Sequence, residues 1–391
     1  MRPSHLPPDP AASWLPASAR LDESFSPPRW LRNRHIQTIV SSLPARFHWM
    51  APRLARLAAT SRTLLLDCGD GVRLQAFHSS ALRTNEGRTP SKAAARVVVL
   101  LHGWEGSADS LYSLALAAQL SERGCEVVRL NLRDHGGTQH LNRELFHSCR
   151  LPEVIGAVRH IQALFPGAPL GLAGFSLGGN FMLRVAAEAR TERLEIEKVV
   201  AISPVLDPVA TLEALERGFH PYHSYFIRKW TRSLRLKQQA WPEDYDFAPL
   251  VRVSGLRALT AELVRGFTNF ASLEAYLNGY AIVGTRLAPL AVPSTIITSL
   301  DDPIIPARDI ARLAPSPALR VVVTRWGGHC GFLDHPARST WAERRAAAEL
   351  APARELASAA EVVVPTAELG FSGAPGAPEG ASLRSSRSAD R

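Results

Sequence analysis

Between an apolar run, PLGLAGF, and an amphipathic one, GNFMLRVAAEA, the chain carries Gly174-Phe175-Ser176-Leu177-Gly178. Few sequence features restrict a fold more. A serine on a sharp strand-to-helix turn is held in a strained backbone conformation that lifts its Oγ clear of the sheet. Strand and helix can close around it only where the residues two positions away lack bulky side chains. Gly174 and Gly178 meet that demand, and Gly179 extends it. Phe181, Met182, Val185, Ala186 and Ala189 then recur at helical spacing on one face, as packing back onto a sheet requires. Taken alone, the pattern is equally compatible with a glycine-rich turn that performs no chemistry.

The surrounding chain supplies the sheet. TLLLD and VRLQAF flank the turn signal Gly69-Asp70-Gly71 and predict a hairpin. The apolar strands RVVVLL, CEVVRLNL, PLGLAGF and EKVVAIS follow, separated by the helical patterns SLYSLALAAQLSERG, PEVIGAVRHIQALF and GNFMLRVAAEA. Near-continuous apolar strands alternating with helices predict an α/β fold, a mostly parallel central sheet covered by helices on both faces. After Asp207 the alternation stops for a mainly helical stretch that predicts an inserted cap. It resumes with the strand PSTIITS, a short helix at ARDIARL, the strand ALRVVVTRW and a final helix after Pro336. The expected organisation is an irregular, proline-rich lead-in over 1–60, core over 61–206, cap over 207–290, core over 291–350, and a tail over 351–391. That tail is too poor in large apolar residues to offset the entropy of ordering and is expected to be disordered.

A serine hydroxyl needs a base, and the base needs a buried carboxylate to orient it. Where a nucleophile sits on such a turn, the chain order is serine, acid, histidine. Ser299-Leu300-Asp301-Asp302-Pro303-Ile304 and Trp326-Gly327-Gly328-His329-Cys330-Gly331-Phe332 supply the parts in that order, each after a strand and at the sheet end that carries Ser176. Asp302 is preferred because it directly precedes the Pro303-Ile304-Ile305-Pro306 stretch that fixes the loop, with Asp301 next and Asp207 third. His329 follows two glycines that let a loop carry it over the serine, whereas His335 is expected to begin the final helix. Backbone donors for an oxyanion are expected from Leu177, directly after the serine, and from Trp104 in the loop His102-Gly103-Trp104-Glu105-Gly106-Ser107. His102 is expected to organise that loop rather than act as a second base.

Composition excludes other classes. Hydrophobic residues make up 46% of the 391 and charged residues 21%, an ordinary globular balance. The formal charge of +9 comes chiefly from scattered arginines, since only Lys92, Lys198, Lys229 and Lys237 among 45 basic residues are lysine. No basic run interleaves with stacking aromatics, so no nucleic-acid surface is expected. The four cysteines lie far apart, without a C-x-x-C pair, and there is no H-E-x-x-H, so neither a metal site nor another cofactor is expected. The proline-broken N-terminus lacks the apolar core of a signal peptide, and no window reaches the roughly 18 apolar residues of a membrane span, which makes the cytoplasm the default.

Within the cap, Ser224 to Arg235 place Phe226, Ile227, Trp230 and Leu234 on one helical face and Arg228, Lys229, Arg232 and Arg235 on the other. Phe226 and Trp230 are candidate walls of the substrate pocket, and the basic face offers peripheral membrane contact as an alternative to simple solvation. No obligate protein partner is inferred.

Together these pieces resemble the α/β-hydrolase superfamily and, within it, the YheT-like candidate esterases, over most of residues 25–345. The likeness rests on FSPPRWLRNRHIQTI, the HGWEGS loop, NLRDHGGT, GFSLGGN, SLDDPIIP and GGHCGF. It implies the α/β-hydrolase fold and a cofactor-free serine esterase acting on a small-molecule or lipid carboxylic ester, with Ser176, Asp302 and His329 as charge-relay residues. An acyltransferase or phospholipase using the same triad is the alternative, and a non-catalytic ligand-binding protein is a second one. The sequence departs from the group at Asp134-His135, where N-x-R-G-C-x-G is usual, and at Tyr276-Leu277, where a tyrosine pair is usual.

Overall fold

The computed structural model describes residues 15–82 and 96–352. Its sheet has nine strands: β1 (Ala19–Leu21), β2 (Ser61–Asp67), β3 (Arg73–Ser79), β4 (Val97–Leu101), β5 (Glu126–Leu130), β6 (Leu170–Phe175), β7 (Ile196–Ile202), β8 (Ser294–Ser299) and β9 (Leu319–Thr324), in the spatial order β1-β9-β8-β7-β6-β4-β5-β3-β2. The expected hairpin of β2 and β3 forms, and β3 joins β5 antiparallel. Every other pairing is parallel.

Strand periodicity divides the core in two. Val97, Val99 and Leu101 point into one apolar cluster, while Val98 and Leu100 point into the other; Val199 and Ala201 alternate with Val200 and Ile202 in the same way. The first cluster is covered by α4 (Leu151–Leu164) and α5 (Leu177–Ala187), and the second by α2 (Ala45–Ala59), α3 (Leu111–Glu122) and α10 (Trp341–Leu350). All residues of β4, β6 and β8 are buried. This is why β4 and β6 are written as unbroken apolar runs without polar alternation, whereas β8 buries Ser294, Thr295, Thr298 and Ser299 beside its two isoleucines.

Between β7 and β8 lie α6 (Pro208–Arg217), α7 (His220–Ala240), α8 (Leu256–Phe267) and α9 (Leu273–Gly279). They have a small core of their own, built on Leu234, Tyr245, Phe247, Leu259 and Leu263. No helix among the described residues is long and apolar enough to cross a membrane.

Three expectations differ from the structure. The lead-in is not irregular where it is described: it contributes β1 to the sheet edge beside β9, then α1 (Arg34–Val40) and α2. Its proline content hid these elements, yet Asn33 caps α1 through its side chain and Pro44 stands where the missing N–H of a helix start costs nothing. The final helix begins at Trp341 rather than at His335, because Thr340 and Glu343 form a reciprocal capping box there. Lys229 leaves the basic face expected of it and turns inward, as described below. The expected tail, from residue 353, and residues 83–95 lie outside the described residues.

Candidate active site

Ser176 is the last residue before α5 and has φ +52° and ψ −120°. A non-glycine residue rarely adopts a positive φ, and such strain persists only where the surroundings enforce it. Here the Ser176 N–H donates to Ile202 O at 2.9 Å and its carbonyl accepts from Asn180 N at 3.1 Å, fixing the turn at both ends. A Cβ on Gly174 would lie 2.4 Å from the carbonyl of Gly178, and one on Gly178 would lie 2.3 Å from Leu101 O. Both contacts are impossible, so the glycine spacing in the motif is a steric requirement of the turn.

Asp302 and His329 come together from the loops after β8 and β9. The His329 Nδ1–H donates to Asp302 Oδ2 at 2.9 Å, and Asp302 Oδ1 accepts the N–H groups of Ile304 at 2.8 Å and Ile305 at 2.9 Å. Burial alone would lower the His329 pKa, but the adjacent Asp302 carboxylate and Cys330 together more than reverse this and raise it well above the usual 6.5. Asp301 turns elsewhere: its Oδ1 accepts the Gly328 N–H at 2.9 Å, and burial raises its carboxyl. Asp207 caps α6 and pairs with Arg312. His335 is exposed and accepts the Ala337 N–H.

Ser176 and His329 line one cavity of about 800 Å³, although no hydrogen bond joins their side chains. The loop after β4 closes against the serine: a Cβ on Gly103 would meet Ser176 Cβ at 3.2 Å. Neither the Trp104 N–H nor the Leu177 N–H has a hydrogen-bond partner among the described residues. His102 holds this loop with both ring nitrogens, Nδ1–H donating to Gly103 O at 2.7 Å and Nε2 accepting the Leu132 N–H at 3.2 Å. Complete burial, with His135 beside it, pushes its pKa down to about 3, which suits a neutral structural imidazole. The Trp104 indole stacks on Phe226 and meets Trp230 edge-on, and all three line the cavity. Lys229 also faces it, its Nζ donating to Glu105 O at 2.7 Å. Burial pushes the Glu105 carboxyl up to about 7.

Sequence reasoning left two groups without a role. The first is on α1. The fully buried Gln37 amide donates to Leu31 O and Leu333 O, and its carbonyl accepts the Leu333 N–H. Thr38 Oγ1 accepts the His329 N–H at 2.9 Å. A Cβ on Gly328 would lie 2.4 Å from Arg34 O, so the histidine loop lies directly on α1. The second group surrounds Lys237, buried on α7, whose Nζ donates to Asp134 Oδ1 at 2.9 Å and to the carbonyls of Gln139, Asn142 and Glu144. Asp134 has φ +60°, a conformation suited to the glycine usual at this position in the resembling group; the ion pair and the Phe146 N–H hold the aspartate there. The Tyr276 hydroxyl is hydrogen-bonded to Ser148.

A nine-stranded, mostly parallel sheet with a strained serine after β6 and loop residues gathered at the strand ends defines the α/β hydrolases. The model of the alpha/beta hydrolase fold matches residues 96–336, and the chain belongs to that family. It is similar to the candidate esterase YheT of Escherichia coli (strain K12), 26% identical over 329 residues that cover 82% of this chain and 91% of that one. It is also similar to phospholipase ABHD3 of Mus musculus, 23% identical over 63% of this chain and 61% of that one, so it spans about three fifths of that relative. Among solved structures it is similar in fold to the Pyrococcus furiosus esterase Pf2001, with 14% identity, a TM-score of 0.42, and coverage of 69% of this chain and 84% of that one.

Proposed function

We propose that this protein is a serine hydrolase that cleaves carboxylic esters through an acyl-enzyme, with Ser176 as nucleophile, His329 as base and Asp302 as the carboxylate that orients it. The observation that carries the reading is the 2.9 Å contact between His329 Nδ1 and Asp302 Oδ2 beside a cavity that also holds the strained Ser176. With Nδ1–H committed to Asp302, Nε2 is left as the acceptor for the serine proton. Ser176 Oγ attacks the ester carbonyl carbon as His329 takes its proton. The carbonyl oxygen becomes an oxyanion facing the unoccupied N–H groups of Leu177 and Trp104. Collapse breaks the ester C–O bond and His329 returns the proton to the departing alcohol. Water then attacks the acyl-enzyme by the same relay and releases the acid.

The cavity favours an apolar acyl group, since Trp104, Phe226, Trp230, Leu212 and Leu215 are among its walls. That lining, together with the similarity to a protein named as a phospholipase, supports a second reading in which the ester belongs to a lipid. Purified protein assayed on p-nitrophenyl acetate, butyrate and octanoate tests the proposal. Turnover of at least one ester, lost in Ser176→Ala, supports it. Turnover of none rejects ester hydrolysis of simple aryl esters.

A further inference from the structure

The large apolar side chains left in water are not spread over this surface. Ile36, Ile39, Leu43, Phe47, Phe219 and Tyr225 are each between 37% and 43% exposed, and Trp30 and Trp49 on the same N-terminal segment exceed half. Elsewhere among the described residues only Leu65, Leu164 and Leu236 are comparable. Four of the rim residues, Ile39, Leu43, Phe47 and Tyr225, also line the cavity that holds Ser176, so they stand where that cavity meets solvent. Phe219 packs on His35, 4.5 Å between ring centroids, which joins the start of α7 to α1 on the same rim. A concentrated apolar patch at a cavity mouth is a contact surface rather than ordinary exposure.

Charge indicates the occupant. From Phe25 to Leu66 the chain has no aspartate or glutamate. Arg34 begins α1 and Arg228 lies on α7 at the cavity, and neither forms an ion pair among the described residues. Apolar and aromatic groups flanked by unpaired cations match the boundary between the acyl and headgroup regions of an anionic lipid surface. We propose that the α1–α2 rim and the start of α7 dock this protein on an anionic bilayer, with the mouth of the cavity facing the lipid. Docking there would let an ester pass from the bilayer into the cavity without crossing water. That delivery rests on the hydrolase reading, but the docking does not.

Binding is therefore measured without turnover, by co-sedimentation of the full chain with vesicles of phosphatidylcholine containing phosphatidylglycerol, and with phosphatidylcholine alone. Binding to the anionic vesicles that weakens on raising salt is expected. Ile36→Ser with Leu43→Ser, and separately Arg34→Glu with Arg228→Glu, should each weaken the partition coefficient by about tenfold or more while keeping the wild-type melting temperature. Failure of the wild type to bind either vesicle overturns the proposal. So does binding abolished by Arg232→Glu with Arg235→Glu but not by the rim variants, since those arginines lie on α7 away from the cavity lining. A concentration-dependent dimer broken by the rim variants, without vesicle binding, would assign the patch to a second copy of the chain. Ester hydrolysis assayed in parallel keeps failure of docking separate from failure of catalysis.

Discussion

The Trp104 indole and the Phe226 ring stack with centroids 5.1 Å apart and planes within 9°, joining the loop proposed to hold the oxyanion to helix α7 of the cap. Trp230 meets the same indole edge-on at 5.0 Å. The wall proposed to sense the acyl chain is thus in direct contact with the residue proposed to offer the N–H. Trp230→Ala should change the ranking of acetyl, butyryl and octanoyl esters by about tenfold to a hundredfold, as one to two methylenes of pocket contact allow. Phe226→Ala should additionally lower kcat, because it frees one face of Trp104. A chain-length profile unchanged in both variants would remove the cap from the substrate pocket.

The carboxylates of Asp301 and Asp302 separate by partner. Asp302→Asn should lower kcat by about 10⁴, leaving His329 in the wrong tautomer. Asp301→Asn should cost far less, because its oxygen holds the Gly328 N–H and not the imidazole. If Asp301→Asn proves the more damaging, the relay runs through Asp301.

His329 also predicts a pH profile. The proposed reaction needs its neutral form, and Asp302 with Cys330 raises its pKa above the usual 6.5 despite burial. The kcat/KM should therefore rise with pH and reach half its plateau above pH 6.5. The sign for stability is opposite: the contribution of a group whose folded pKa is raised is fully present below the unfolded value and is lost as pH rises through the folded one. Asp302→Asn should move the activity limb to lower pH, since only Cys330 is then left to oppose burial.

We propose that Thr38 is a positioning residue, because its Oγ1 accepts the backbone N–H of His329. Thr38→Val should lower kcat by about 10- to 100-fold, as a small displacement of a catalytic group can. Thr38→Ser, which keeps the acceptor, should restore most of it. A fall in melting temperature with unchanged kcat would make the contact merely structural.

Lys237 and Asp134 form an ion pair that is buried on both sides. Lys237→Met should destabilise the protein by about 3–5 kcal/mol, because the aspartate and three carbonyls lose their donor. Adding Asp134→Asn should recover part of that loss in urea unfolding. No recovery would mean that the carbonyls, not the charge, account for the cost.

The parallel strands were legible because burial on both faces writes them as unbroken apolar runs, and the serine turn because its backbone crossing demands glycine at fixed spacing. The segments of Asp302 and His329 could be chosen because each follows a strand at the sheet end that carries Ser176, and the residues within them because Pro303 follows the one and two glycines precede the other. Gln37, Thr38 and Lys237 were not legible in role. Their long-range partners lie 93 to 296 residues away in the chain and the rest are backbone groups, and neither leaves a periodic trace. FSPPRWLRNRHIQTI stood out as a segment, but nothing in it reveals that Thr38 meets His329. Lys229 was misplaced for a related reason: helical periodicity puts it with the arginines, while a long aliphatic stem lets its ammonium reach the Glu105 carbonyl.

The central claim is that Ser176 is the nucleophile, and reaction with a fluorophosphonate followed by intact-mass and peptide mapping tests it most directly. The account predicts one adduct per chain, on Ser176, with p-nitrophenyl acetate hydrolysis abolished in proportion to labelling. Ser176→Ala should take no label and lose on the order of 10⁴ to 10⁶ in turnover while remaining folded. An adduct on another residue, or more than a tenth of wild-type turnover in Ser176→Ala, would contradict it.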